Sequence, residues 1–79
     1  MTQFSLHCIE QLAKRNITEE TVLLVIGNAS EKELVDGVTI YKGMIEENGK
    51  KYLIRVFVNE DKVPPLIITA YKTSKLDKY

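Results

Sequence analysis

Seventy-nine residues confine the chain to a single domain over 1–79, and 44% hydrophobic with 28% charged content describes an ordinary globular protein rather than a disordered one. Eleven basic residues balance eleven acidic ones, which argues against a strong non-specific nucleic-acid binder. A lone cysteine, Cys8, and a lone histidine, His7, exclude an intrachain disulfide and a Cys/His zinc site, so neither metal nor cofactor is expected.

No apolar run approaches the roughly 20 residues that span a bilayer. The start, Met1-Thr-Gln-Phe-Ser5, has neither a basic n-region nor a long apolar h-region. The expectation is a protein without a membrane partner that stays in the cytoplasm, where the single cysteine fits a reducing compartment. Charge is unevenly spread. Residues 19–36 hold Glu19, Glu20, Glu31, Glu33 and Asp36 against Lys32, whereas the last ten hold Lys72, Lys75 and Lys78 against Asp77. That asymmetry permits one basic face.

In chain order, Ser5 is the expected N-cap of a first helix over Leu6–Lys14. Ile9, Leu12 and Ala13 share its apolar face with Cys8 beside them, and His7, Gln11, Lys14 and Arg15 share the adjoining polar face. A break is expected at Arg15-Asn16-Ile17. Thr18 then caps a second helix whose first turn, Glu19 and Glu20, suits the positive end of the helix dipole. Val22–Ile26 is apolar nearly all round, which predicts a heavily buried helix stopped at Gly27-Asn28.

Residues 29–37 read as a polar loop, and strands begin at Val38. Asn48-Gly49 predicts a type I′ hairpin pairing Glu47 with Lys50, Glu46 with Lys51, Met44 with Leu53 and Lys42 with Arg55. Alternation then puts Tyr52, Ile54, Val56 and Val58 on the core face, and Leu53, Arg55 and Phe57 on the other. A turn at Asn59–Lys62 and the pair Pro64-Pro65 lead into a third strand, Leu66–Tyr71, followed by a basic tail read as a short turn or helix. The whole is an α+β fold, two N-terminal helices packed on a three-stranded antiparallel sheet.

Ser5-Leu6-His7, Glu10, Arg15-Asn16-Ile17 with its capped second helix, and the closing run from Ile68 to Lys75 together resemble a small prokaryotic domain-of-unknown-function family. That family is similar to the RelE/BrnT-like and MqsR-like toxins, within the wider barnase–colicin–RelE type of ribonuclease fold. The resemblance implies the toxin of a type II toxin–antitoxin pair, a metal-independent endoribonuclease acting on messenger RNA. It also implies an antitoxin partner, often a small zinc-finger protein in this family's neighbourhoods, and association with the ribosome.

Metal-independent RNA cleavage needs a base at the ribose 2′-hydroxyl, an acid at the leaving 5′-oxygen, and cations for the charge growing on phosphorus. His7 is the only side chain whose ordinary pKa lies near neutrality, and Arg15 and Arg55 suit phosphate oxygens through permanent charge and forked donors. These three are the candidate catalytic residues. Thr69 and Tyr71 share a strand face and could bond or stack on RNA, with Lys72, Ser74 and Lys42 as further substrate contacts. The plainer readings are a surface or capping histidine, an Arg15 that bonds helix carbonyls, and ordinary sheet residues at Thr69 and Tyr71. A non-catalytic protein-interaction domain is the alternative function. Two points of geometry are left to the fold. His7 must lie near a sheet edge to meet Arg55, and Lys42 opposite Arg55 is a like-charge pair that requires an acid or anion nearby.

Overall fold

The computed structural model describes residues 2–74. Its elements run β1 (Gln3–Phe4), α1 (Leu6–Arg15), α2 (Glu19–Gly27), β2 (Glu31–Val35), β3 (Val38–Glu47), β4 (Lys50–Asn59) and β5 (Leu66–Thr73). The strands form one mixed sheet in the order β1-β5-β4-β3-β2. Only β1 and β5 are parallel. The fold is therefore α+β, but the expected three-stranded antiparallel sheet is wrong: there are five strands, and the two additional ones lie at opposite edges.

Both omissions have local causes. The segment read as a polar loop contains β2, which pairs with β3 from Glu31↔Lys42 to Val35↔Val38. Its residues are all exposed, so no apolar alternation marks it. The signal that does mark it is Asp36-Gly37, whose φ values of 50° and 81° match a type I′ hairpin turn. Asn48-Gly49 makes the equivalent turn, with φ of 53° and 78°, and the expected β3–β4 register is observed at every predicted pair. β1 is only two residues long and is held by backbone bonds from Gln3 to Pro65 and from Ser5 to Ile67. At β5 the expected boundary moves outward: the strand continues through Thr73, and the remainder of the tail, 75–79, lies outside the described residues.

Ser5 caps α1 as expected, its Oγ accepting from the Cys8 amide at 2.9 Å and donating to the Ile68 carbonyl at 3.1 Å. Asn16 ends the helix in the left-handed region, φ 56°. The buried side of α1 is Cys8 and Leu12, while Ile9 and Ala13 are exposed, a rotation of the expected face toward β5. Thr18 caps α2 through the Thr21 amide. This helix is less buried than its composition implies. Val22 and Val25 face the sheet, but Leu23 and Leu24 are exposed because α2 packs chiefly on β3 and β4 with one side.

The core lies between the helices and one sheet face. It joins Cys8, Leu12, Ile17, Val22 and Val25 to Tyr41, Ile54, Val56, Val58, Ile67 and Ala70. Gly43 lets α2 come close: an added Cβ would stand 3.3 Å from a Val25 methyl. Burial pushes the Cys8 thiol above its ordinary pKa, with Glu19 adding to the effect, consistent with a small core residue.

Tyr41 closes one end of this core, its hydroxyl bonded to the Glu60 carboxylate. Burial, and then the Glu60 acceptor and charge, push its pKa from 10.0 up to about 12. The fold thus favours the neutral phenol, whose contribution is complete below pH 10 and is lost as pH rises through about 12. Thermal melts from pH 9 to 12 are expected to show this loss in the wild type and a flatter profile in Tyr41→Phe.

Candidate functional site

The site begins with the alternation of β4 and β5. Arg55 and Phe57 point away from the helices, opposite Tyr71 and Thr69 respectively. A register shift at Phe57/Val58 leaves Ile68 without a direct partner and keeps Ile67 on the core side while Thr69 and Tyr71 face the other way. α1 packs along β5, on the core side. Among the described residues, β5 has no strand neighbour on its outer edge beyond Ile67, because β1 pairs with Leu66 and Ile67 alone.

Arg15, at the end of α1, crosses that edge. Its Nη1 donates to the Ala70 carbonyl at 2.8 Å and to Thr69 Oγ1 at 3.2 Å. The guanidinium lies 4.3 Å from the centre of the Tyr71 ring, within cation–π range. Tyr71 meets Phe57 edge-on at 5.5 Å, and the Arg55 guanidinium sits 5.4 Å from the Phe57 ring. Two arginines and two aromatic rings thus form a continuous array, Arg15–Tyr71–Phe57–Arg55, reaching from the sheet edge onto the face turned away from the helices. Beside it a hollow of about 300 Å³ is lined by Leu53, Arg55, Tyr71, Lys72 and Thr73.

Of the residues expected from the sequence, Arg15, Arg55, Thr69 and Tyr71 come together. The edge problem is solved by Arg15, whose long side chain reaches round β5. His7 is exposed and makes no hydrogen bond or ion pair among the described residues. It stands on the same helical line as Gln11 and Arg15, two turns or about 12 Å along the axis from Arg15. Arg15 does not bond the carbonyls of its own helix.

Lys42 is engaged elsewhere. Its ammonium lies 3.7 Å from Glu31 and 3.8 Å from Glu33, both on β2. These are the acids that the Lys42–Arg55 like-charge pair required, so the pairing in itself carries no signal of a bound anion. Lys72 faces the helices rather than standing in a free basic tail. Its Nζ donates to Glu47 at 2.6 Å and to the Asn16 carbonyl at 3.2 Å, and lies 4.7 Å from the Tyr52 ring centre. Ser74 is exposed just past β5.

Phe57 is the member of the array that sequence reasoning passed over. Its signal was available, since it follows Arg55 by two residues and so shares its strand face. Asn16, Glu47 and Tyr52, which surround Lys72, were not separable from ordinary surface residues by spacing alone.

Compared with known proteins, the chain matches no family model, no curated protein and no solved structure. Among the described residues, no helix is long and apolar enough to cross a membrane.

Because Lys72 ties the end of α1 to the β3–β4 hairpin and its side chain is only 15% exposed, Lys72→Met is expected to destabilise the fold by about 1–3 kcal/mol. Urea denaturation of the variant beside the wild type measures this.

Proposed function

We propose that the chain is the toxin of a toxin–antitoxin pair, an endoribonuclease that cleaves messenger RNA in the cytoplasm without a metal ion. The observation that carries this reading is the Arg15–Tyr71–Phe57–Arg55 array. Arginines supply fixed charge and forked donors for phosphate oxygens, and the partly exposed Tyr71 ring offers a stacking surface for an unpaired base. The resemblance of the N-terminal helix and last strand to small toxin-like domains supports the same reading. A neutral overall charge is compatible with it because both arginines belong to one array, while Glu19 and Glu20 on α2 and Glu31 and Glu33 on β2 lie elsewhere.

In this reading RNA lies across β5. A base removes the proton of the ribose 2′-hydroxyl, the 2′-oxygen bonds to phosphorus, and the 5′-oxygen leaves with a proton from an acid, giving a 2′,3′-cyclic phosphate. Arg15 and Arg55 hold the phosphate oxygens and stabilise the added charge. His7, exposed two turns of α1 away from Arg15, lies outside hydrogen-bond reach of a phosphate held there, so neither proton transfer is assigned to it. Thr69 and Tyr71 hold the nucleotide beside the arginines, and an antitoxin, with a zinc finger of its own, blocks the face.

A second reading, a non-catalytic interaction domain, draws on a different observation. β2 is an edge strand exposed along its length, with Leu34 72% accessible, and such edges accept a partner's strand.

Inducible production in a bacterial host distinguishes the two. The ribonuclease reading expects growth arrest with new RNA 5′-ends, both reduced about 100-fold or more by Arg55→Ala and by Arg15→Ala. Unchanged growth and RNA ends with soluble, folded wild-type protein would reject it in favour of the interaction domain.

A further inference from the structure

The outer edge of β5 separates two hollows. One is the hollow beside Arg55 and Tyr71. The other lies on the helix side, about 630 Å³ in volume, between the end of α1 and the tip of the β3–β4 hairpin, and is lined by Asn16, Glu47, Asn48, Tyr52 and Lys72 among others. Lys72 lines both. Arg15 stands on the ridge between them, its guanidinium over Tyr71 on one side and its chain neighbour Asn16 in the wall of the other hollow.

We propose that the helix-side hollow is a second nucleoside subsite, so that one phosphodiester step of single-stranded RNA straddles the β5 edge with its phosphate at Arg15. The inference rests on the ribonuclease reading and names the length and path of its substrate.

The chemistry of the hollow fits a nucleoside on three counts. Tyr52 supplies an aromatic ring, and every base has a face that stacks on one. Lys72 at 4.7 Å and Lys50 at 5.8 Å from the ring centre stand beside it; Glu47 pairs with Lys72, which leaves the exposed Lys50 as the cation for a sugar–phosphate chain. Glu47, Asn16 and Asn48 bring acceptors and donors suited to base edges. The hollow is also built in advance. Lys72 is held by Glu47 and the Asn16 carbonyl, and Asn16 is fixed in the left-handed region at φ 56°.

The ridge suits a phosphate. Both described bonds of Arg15 leave from Nη1, whereas a guanidinium carries five N–H donors in all. A nucleotide bound only over Tyr71 would use one hollow, and a longer strand would use both. The second nucleoside therefore adds affinity that depends on Tyr52 and not on Tyr71.

The test uses two probes that cannot be cleaved, adenosine monophosphate and a 2′-O-methyl adenosine trinucleotide, titrated into the folded protein by nuclear magnetic resonance. The trinucleotide is expected to bind the wild type about tenfold or more tightly than the monophosphate. Tyr52→Ala is expected to remove that gain and leave monophosphate binding unchanged, Tyr52→Phe to retain it, and Tyr71→Ala to weaken both probes. Thermal melts confirm that each variant is folded. Trinucleotide affinity that falls in Arg55→Ala but not in Tyr52→Ala would overturn the second subsite alone and leave the helix-side hollow to another class of occupant, such as a peptide. Failure of the wild type to bind either probe would overturn the subsite together with the RNA reading beneath it.

Discussion

Two helices of ten and nine residues are each about 15 Å long, and they can cover only one face of a five-stranded sheet about 19 Å across. Everything else in the molecule follows from that one-sided cover. Along β4, the central strand, Ile54, Val56 and Val58 must be apolar because they lie beneath the helices, whereas Arg55 and Phe57 are free to be otherwise. Gly43 sharpens the constraint by letting Val25 of α2 sit directly on β3. The helices are thereby fixed to one side, and a set of charged and aromatic side chains can accumulate on the other without disturbing the core.

The same constraint makes the outer edge of β5 a boundary between two environments. Consecutive residues of that strand meet different partners: Tyr71 lies with Arg15, Phe57 and Arg55, while Lys72 turns toward Glu47, Tyr52 and the end of α1. Arg15 joins the two sides because the first helix ends level with Ala70, close enough for its side chain to cross the edge. Its bonds to Thr69 and Ala70 brace the guanidinium before any ligand arrives. Preorganisation of this kind is what electrostatic stabilisation of a phosphate requires, because charges that need not reorganise act most strongly.

Charge balance takes on a different meaning once the fold is known. The acids of β2 neutralise Lys42 at one end of the sheet, and Glu47 neutralises Lys72 at the other. Arg15 is held by an oxygen of a side-chain hydroxyl and a backbone carbonyl, neither of which cancels its charge. A formally neutral chain can therefore present a cationic, aromatic surface in one place, which is what the proposed RNA reading asks of it.

Local chemistry was sufficient for much of the fold. Ser5 and Thr18 mark the two helix starts because a side-chain oxygen at the cap satisfies an amide that the helix leaves open, and Asn48-Gly49 sets the β3–β4 register because few residue pairs tolerate positive φ twice. That register, with period-two alternation, put Arg55 on the face away from the helices and Thr69 with Tyr71. The remaining features depended on contacts between distant segments. β2 carries no apolar alternation, since both its faces are exposed, and β1 is too short to have a pattern of its own. Ile9 and Ala13 on α1, and Leu23 and Leu24 on α2, are exposed because helix rotation answers to the surface being covered, which composition does not encode. Neither the meeting of Arg15 with Tyr71 across 56 positions of chain nor the capture of Lys42 and Lys72 by acids has any periodic signature. Those pairings exist only because the tertiary fold lays α1 along β5 and β2 beside β3.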